Sequence, residues 1–582
     1  MLGSVEDSKN EKNSIQDKDV ANERFGYLKF INRNSRDIRK FQILILFLTT
    51  ITGILLIIFT LDLSSFLTSL FEKASLNSFI LELLPLILIF SAITATSIIS
   101  AYISQIITYS TRSKLMENTF YSVSSGRMSK IKSLMIGDII TRTTGDTIQI
   151  SGIVATFLPG LISSILLFGF YFVALFLISP LLSYIFLLFS PLYYFIFLIE
   201  RKMLPPLVNK ERAALSRVTN SVNEYTLNLE DLKALSAITS ISKIYKSAVG
   251  NFYATSKQMI NSLIKYSGAS SYLKAIMPFI ILTVSFYFYT INLVAIGSAI
   301  TFFFISGQAY SPLSSISGYL SSYATGIARY RRVEEILNIE PEATGETPLK
   351  SISQIESVGV KVINGDKNIL NIDKLRVLSG EHIGITGENG SGKSTLSRLF
   401  NNSIEFSGKV EINGLDIKNY RLGSLREKAI RIDGIPFIFV DTVYNNISLY
   451  ANISREDVEK AMKICNIDFV RLDDIVEPSN LSEGQKQHIS LARAVCRKPE
   501  FLILDEVFSG IDDRSEEKIV ANILEEMSGS TILLISHRYS TLKRMDRAII
   551  MKQGQIICDV KKWGDLSTCS EWESLMKHQS IK

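Results

Sequence analysis

The chain is poor in several chemically useful residues. Its 582 residues include four cysteines and four histidines. No cysteine or histidine precedes His382, so that long stretch holds no Cys/His nucleophilic pair. The cysteines are Cys465, Cys496, Cys558 and Cys569, with no CxxC spacing. Neither a zinc site nor a disulfide framework is indicated, and reduced thiols in a cytosolic domain are the simplest reading. Charged residues make up 20%, below the typical share of about 25%. The formal charge is only +6, and no dense basic tract is interleaved with aromatics. Nucleic acid is therefore not an expected partner. No signal-peptide core precedes Phe41.

Apolar residues, by contrast, make up 47%, and their excess lies before about residue 330. This predicts a helical membrane domain joined to a soluble domain. Phe41–Leu61 is uncharged and long enough to cross about 30 Å of hydrocarbon. Phe79–Tyr109 is a second span. Ile150–Ile199 is too long for one crossing and is divided at Ser179-Pro180, because proline disfavours continuing the helix there. Ala275–Ala328 is divided near Asn292–Gly297. Six spans result.

The loops Thr111–Gln149 and Glu200–Lys274 are long and basic, whereas the first outer loop carries Asp62, Glu72 and Lys73. The basic loops should face the cytosol, with both termini inside. They read as helical extensions beyond the membrane. Residues 1–24 are set as a cytosolic N-terminal segment, of which 1–22 are expected to be disordered. Phe25–Phe41 reads either as a helix on the membrane surface or as a juxtamembrane linker. The membrane domain is set at 25–333, a linker at 334–350, and an α/β nucleotide-binding domain at 351–582.

The soluble half is organised around Gly387-Glu388-Asn389-Gly390-Ser391-Gly392-Lys393-Ser394-Thr395. This run follows a strand-like stretch, His382–Thr386, and precedes a helical one, Leu396–Phe400. In that context it reads as a phosphate-binding loop. Glycines let backbone N–H groups turn inward around phosphates, and the helix points its positive end at them. Lys393 can neutralise phosphate charge, and the Ser394 hydroxyl can ligate Mg²⁺. Phe501-Leu502-Ile503-Leu504 is a buried parallel strand by pattern and ends in Asp505-Glu506. Asp505 can hold Mg²⁺ through water, and Glu506 can take a proton from, or orient, an attacking water. Ser482 in Leu481-Ser482-Glu483-Gly484-Gln485 stands where a helix N-cap would be, followed by a helix over Lys486–Arg497. That pentapeptide is either an anion site or an ordinary capped helix. His537 follows the strand-like Ile532–Ser536 and could donate a hydrogen bond to a γ-phosphate.

These motifs, in this order, resemble the ATPase domains of ABC transporters. With six spans and two long cytosolic loops before them, the chain resembles one half of an ABC exporter of the type IV fold. The resemblance implies a six-helix membrane domain followed by an α/β P-loop ATPase, with ATP and Mg²⁺ as ligands. It implies a head-to-tail dimer, a homodimer or a heterodimer. Ser482, Gly484 and Gln485 of one protomer would close on the phosphate loop of the other, which supplies the anion partner Ser482 lacks in its own domain. It further implies that Glu506 activates water, His537 meets the γ-phosphate and Asp512 communicates across the dimer. Gly137–Asp146 would lie near the first coupling helix, and Ser221–Leu232 near the second.

The chain departs from the family in places. A glutamine normally stands shortly before the pair matching Thr442-Val443, and here that position is Gly434. Asp433 could substitute as a hard oxygen ligand. The adenine-stacking aromatic aligns with Ile363-Asn364, and Glu483 replaces a glycine. Glu477-Pro478-Ser479-Asn480 lacks the usual glycine-containing loop.

Exporters of this architecture move peptides, lipids or drugs. Some peptide exporters carry an N-terminal cysteine protease, for which the stretch before Phe41 is too short, so peptide cargo should arrive processed. The expected cargo is a processed antimicrobial or other small peptide, exported across a bacterial cytoplasmic membrane. A lipid or multidrug exporter is the alternative. A different class is an ATP-gated regulator or channel, or the impaired partner in a heterodimer. Tyr102, Gln105, Tyr171, Tyr193, Tyr194, Tyr287, Gln308 and Tyr310 could line a cavity for an amphipathic cargo or serve interhelical packing.

Overall fold

The computed structural model describes residues 25–71, 76–364, 367–562 and 565. The expectations for residues 1–24, Glu72, Lys73 and Cys569 lie outside them. The chain sorts into two compact units. One holds the residues up to Gly126 together with Leu134–Glu340, and the other holds Arg127–Ser133 with the chain from Pro341 onward.

The first unit is helical. Apolar runs this long satisfy every backbone hydrogen bond internally only as helices. Its long elements are Arg39–Phe71, Leu76–Ser125, Thr147–Ile178, Pro180–Leu227, Ile238–Thr290, and a sixth stretch made of Ile296–Ala309 and Ser311–Leu337. Among the described residues, four helices are long and apolar enough to cross a membrane. Ser179 is extended (φ −156°) and Pro180 opens the next helix, which makes the expected break between the third and fourth stretches. Asp62, expected in an outer loop, lies inside the first helix. The sixth stretch breaks at Tyr310, just ahead of Pro312, a break the sequence pattern did not suggest.

Close approach and hydroxyl pairs join these helices. Gly53 lies against the Phe170 ring, where a Cβ would come within 2.0 Å. Thr52 and Thr96 are 2.9 Å apart, Thr49 and Ser163 3.0 Å, and Ser64 and Ser298 3.1 Å. The buried Gln42 donates to the Ala155 carbonyl at 3.0 Å. Small residues and interhelical hydrogen bonds are what hold apolar helices together where water supplies no driving force. Tyr310 is buried and packs on Phe186 with ring centroids 4.8 Å apart. Tyr102, Gln105, Tyr287 and Gln308 lie exposed on the unit, and the side chains of Tyr193 and Tyr194 lie outside the described residues.

Residues 25–34 are helical and packed into this unit. Tyr27 and Ile31 are fully buried, and Tyr27 stacks between Tyr323 and Tyr330, 5.0 Å from each. The segment is thus a helix with one face packed into the unit and Phe25 and Leu28 exposed, and a plain linker does not describe it. Nearby, Arg142–Asp146 forms a single π-helical turn whose charges pair with the last helix. Arg142 pairs with Glu335, and Arg332 donates to Asp146 at 2.7 Å.

In the second unit a six-stranded sheet runs in the order Gln555–Val560, Arg547–Lys552, His382–Gly387, Thr531–Ile535, Phe501–Asp505, Ala429–Asp433. The last five strands are parallel, and the outermost, Gln555–Val560, is antiparallel. Phe501–Asp505 and Thr531–Ile535 are buried at every position, as continuous apolar runs between helices should be. A four-stranded antiparallel sheet containing Gln354–Asn364 and Lys367–Leu378 accompanies it. Part of the expected linker is tied down here: Gly345 donates to the Tyr420 carbonyl, and Glu342 pairs with Arg426. The short helix Met128–Ser133 groups with this unit, while Gly137–Asp146, the stretch expected near a coupling helix, stays with the first. Between the fourth and fifth long helices, Leu229–Ala234 forms a separate short helix overlapping the second expected coupling stretch.

Replacing Tyr27 by alanine removes a fully buried ring and should cost about 3 kcal/mol. Phe25, 72% exposed, is the control. Thermal unfolding of purified protein should show a clear fall for Tyr27→Ala and almost none for Phe25→Ala. Equal shifts would mean that the segment is not packed as described.

Candidate nucleotide-binding site

The phosphate-loop candidate follows the strand His382–Gly387 and leads into the helix Lys393–Leu399. Gly387 and Gly392 have φ of 149° and 97°, values open to glycine alone at little cost. A Cβ on Gly387 would sit 2.1 Å from the Met551 carbonyl oxygen. Glu388, Asn389 and Gly390 are exposed, Ser391, Gly392 and Lys393 are buried, and Ser394 and Thr395 are half-buried. Lys393 Nζ donates to the carbonyls of Gly387 (2.9 Å) and Glu388 (3.0 Å). Burial lowers its pKa, opposed by Glu506 and Asp505. The Ser391 hydroxyl, 3% exposed, has no partner among the described residues. An ammonium turned inward and an orphaned buried hydroxyl suit a polyphosphate in this cradle.

At the end of the strand Phe501–Asp505, Asp505 is 3% exposed. Its Oδ1 accepts from Ser394 Oγ at 3.0 Å, and its Oδ2 accepts from Ser397 Oγ at 2.8 Å. The carboxylate and the Ser394 hydroxyl are hard oxygen donors of the kind Mg²⁺ takes alongside phosphates. Among the described residues there is no cluster of three acidic, His or Cys groups able to hold a metal alone. Glu506 has a left-handed backbone (φ 53°), and its N–H donates to the Ile535 carbonyl at 3.1 Å. That is a costly conformation for a side chain this long and marks a site held by its surroundings. His537 Nε2 lies 3.3 Å from Glu506 Oε1. Burial and the nearby Lys393 hold the imidazole below its usual pKa, and Glu506 pulls the other way.

Ser482 caps the helix Glu483–Val495 by accepting from Gln485 N at 3.2 Å, and Gln485 Oε1 accepts from Ser482 N at 2.9 Å. This reciprocal capping box is the N-cap that the sequence placed at Ser482, with Gln485 as its partner. Gly484 lies against the Gly510 carbonyl, where a Cβ would come within 2.6 Å. Asp512 caps Asp513–Glu526 by accepting from Ser515 N at 3.0 Å; hydrogen bonds from the Ser515 side chain and then its backbone lower the carboxyl's pKa. Lys393, Ser394, Asp505, Glu506 and His537 thus form one site, whereas Ser482, Gly484, Gln485 and Asp512 serve two neighbouring helix starts.

Gly434 has a structural reason. A Cβ there would lie 2.7 Å from the Glu506 carbonyl oxygen, so a glutamine cannot enter without displacing backbone. Its own carbonyl accepts from Gln487 at 3.3 Å. Asp433, weighed as a substitute ligand, is engaged by Arg431. Sequence reasoning missed Arg431, whose guanidinium reaches Asp505 at 2.8 Å. The only available signal was a charge inside a strand otherwise patterned as buried. Ile363 is exposed, and the side chain of Asn364 lies outside the described residues.

Comparison with known proteins agrees with this geometry. Residues 42–313 match the ABC transporter transmembrane region, and residues 370–509 match the ABC transporter family. An ATP-dependent lipid A-core flippase of Pseudomonas fluorescens is 32% identical over 45% of this chain and 46% of its own length. That is about half the length of the relative, as it is for several other flippases of that name. The multidrug resistance-like ATP-binding protein MdlB of Buchnera aphidicola is 26% identical over 85% of this chain and 88% of its own. A bacterial Atm1-family ABC exporter, solved with ATP bound, superposes with a TM-score of 0.80 at 19% identity, covering 94% of this chain and 99% of that one. That likeness is one of fold.

Two outcomes follow. Gly434→Gln should lower the ability of nucleotide to stabilise the protein, measured as ligand-induced thermal shift, because the new side chain strains the Glu506 backbone. A larger shift than wild type would contradict this. The lowered pKa of His537 gives the second. Folding favours the neutral ring, so below its ordinary value of about 6.5 the unfolded chain binds the proton more readily. Stability from this group is present above that pH and lost as pH falls through the lowered folded value. Nucleotide-free wild type should therefore lose more apparent Tm than His537→Gln between about pH 7 and 5.5; parallel curves would contradict it.

Proposed function

The chain belongs to the ABC transporters, with membrane region and ATPase in one polypeptide, and from that premise we propose that it is half of an ATP-driven exporter of lipids or other amphipathic molecules. The observation that carries the ATP-driven part is Ser394 paired with Asp505 beside a glycine-built loop, in a chain that also has six long helical stretches. The cargo class rests on the names of the relatives, a lipid A-core flippase and a multidrug resistance-like protein. They favour lipid or drug over the peptide that the sequence alone suggested.

In this reading Lys393 and the backbone of Gly387–Thr395 hold the ATP phosphates. Ser394 and Asp505 hold Mg²⁺, which when bound offsets phosphate charge. Glu506 accepts a proton from, or orients, the attacking water, and His537, 3.3 Å from it, donates to the γ-phosphate. A second protomer brings the Ser482 helix start to the phosphates, since a capped helix N-terminus still presents its dipole and the serine O–H. Asp512 lies at the dimer seam. The protein sits in the bacterial cytoplasmic membrane as a multi-pass chain with both termini inside. Gly434 supports a second reading, in which this site is the weaker one of a heterodimer.

In proteoliposomes, Glu506→Gln should lower ATP hydrolysis about 10²-fold or more, and Lys393→Ala should abolish ATP-dependent movement of a fluorescent lipid or a cationic dye. Equal hydrolysis by wild type and Glu506→Gln would overturn the catalytic assignment. ATP-dependent movement of a peptide, with none of lipid or dye, would restore the peptide reading. Activity only in a mixture with a second half-transporter would favour the heterodimer.

A further inference from the structure

Arg431 lies on the strand Ala429–Asp433, three residues before Gly434. In the parallel register Asp433 stands directly opposite Asp505, so two carboxylates meet side by side at the strand ends. The Arg431 guanidinium lies between them. Nη2 donates to Asp505 Oδ2 at 2.8 Å, Nη1 reaches Asp433 Oδ2 at 3.3 Å, and Nε donates to Ser397 Oγ at 2.8 Å. The Arg431 side chain is 10% exposed and that of Asp505 3%. The pair is out of water, where an uncompensated charge is costly. The two Asp505 oxygens are thereby divided. Oδ2 is held by Arg431 and Ser397, and Oδ1 faces Ser394.

We propose that Arg431 is the built-in counter-charge of Asp505, so that this site binds nucleotide with little dependence on a divalent cation. In a site whose acidic strand end has no fixed cation beside it, Mg²⁺ both neutralises the carboxylate and screens the phosphates. Here the first task is already done. The guanidinium also sets a positive charge beside Asp505, which weakens the pull of that carboxylate on a second cation. Arg431 acts through Asp505 and is a positioning residue. The same contact orients Asp505 toward Ser394, as outer-sphere partners commonly orient metal ligands.

The inference rests on the ATP-site reading given above. Full-length protein in detergent or nanodiscs is titrated with a fluorescent ATP analogue, once with EDTA and once with millimolar Mg²⁺. The readout is the ratio of the two dissociation constants. Wild type should show a ratio below about 3, and Arg431→Met, which keeps bulk but removes charge, a ratio of about 10 or more in favour of Mg²⁺. Arg431→Lys should stay with wild type. A merely structural role for Arg431 would weaken binding in both buffers alike and leave the ratio unchanged, which overturns the inference. A wild-type ratio of about 10 or more overturns it without any variant, even where Arg431→Met fails to fold. Absence of binding in both buffers removes the ATP-site reading, and the inference with it.

Discussion

The soluble unit depends on one constraint, the register of four parallel strands built around the two fully buried ones, Phe501–Asp505 and Thr531–Ile535. Ile385, Asp505 and Asp433 align across neighbouring strands, with Ile535 paired to both Ile385 and Asp505. Each strand therefore ends at the same edge, where the chain turns out as Gly387, Glu506, Ser536-His537 and Gly434. Ligands of open α/β sheets bind beyond the carboxyl ends of the strands. A slip of one residue along any of these strands would turn its side chains to the other face. The continuous burial of Leu502, Ile503, Leu533 and Leu534 is what holds the site's geometry.

That burial brings charges into places where each needs a partner. Lys393 turns to two carbonyls of its own loop, and Asp505 takes hydrogen bonds from two serines and an arginine. Glu516, fully buried, is held by Thr541 at 2.7 Å and by Arg538. Arg538 also donates to the Ile511 carbonyl at 2.8 Å. The residue after His537 is thus tied to the residue before Asp512. This link, buried at Glu516 and half-buried at Arg538, joins the His537 turn to the start of the helix that Asp512 caps. Removing Arg538 would leave the Glu516 carboxylate buried without its counter-charge.

Much of this was legible in the sequence, for identifiable reasons. Parallel strands covered on both faces read as unbroken apolar runs, and the glycines around Lys393 have a spacing that few other structures require. Ser179-Pro180 marked its helix break because proline acts locally. What escaped depends on distant partners. Tyr27 is buried by Tyr323 and Tyr330, about three hundred residues away in the chain, and alone it looked like a surface aromatic. The capping box at Ser482 was half visible: the N-cap was clear, but an expected anion role hid the return bond from its own backbone to Gln485. Arg431 was invisible because strand alternation says which face a side chain occupies, not whether a charge there meets a carboxylate on the next strand. Cargo was the least legible feature, because aromatic and polar residues in apolar helices serve packing as readily as recognition. Tyr310, buried against Phe186, is an instance of packing.

Gly434 and Arg431 are better understood together than as two separate departures from a family pattern. A glutamine side chain at position 434 would link the phosphate site to the following segment through its flexible amide. Here the link is the backbone itself. Gly434 packs on the Glu506 carbonyl, and its own carbonyl takes a hydrogen bond from Gln487, which also accepts from Gly510 N at 2.9 Å. Upstream, Arg431 ties the same strand to Asp505. Downstream, Phe437 lies under the Arg493 guanidinium at 4.1 Å, and Arg493 donates to the Asn446 carbonyl at 2.6 Å. Between these anchors Ile435 remains 86% exposed. Asp505 and Glu506 are therefore joined to the strand and segment around Gly434 by main-chain and charge contacts, without a side chain at 434. Such a connection is shorter and stiffer than an amide on a two-carbon stem. It trades the freedom of a swinging side chain for a fixed relation between strand end and loop.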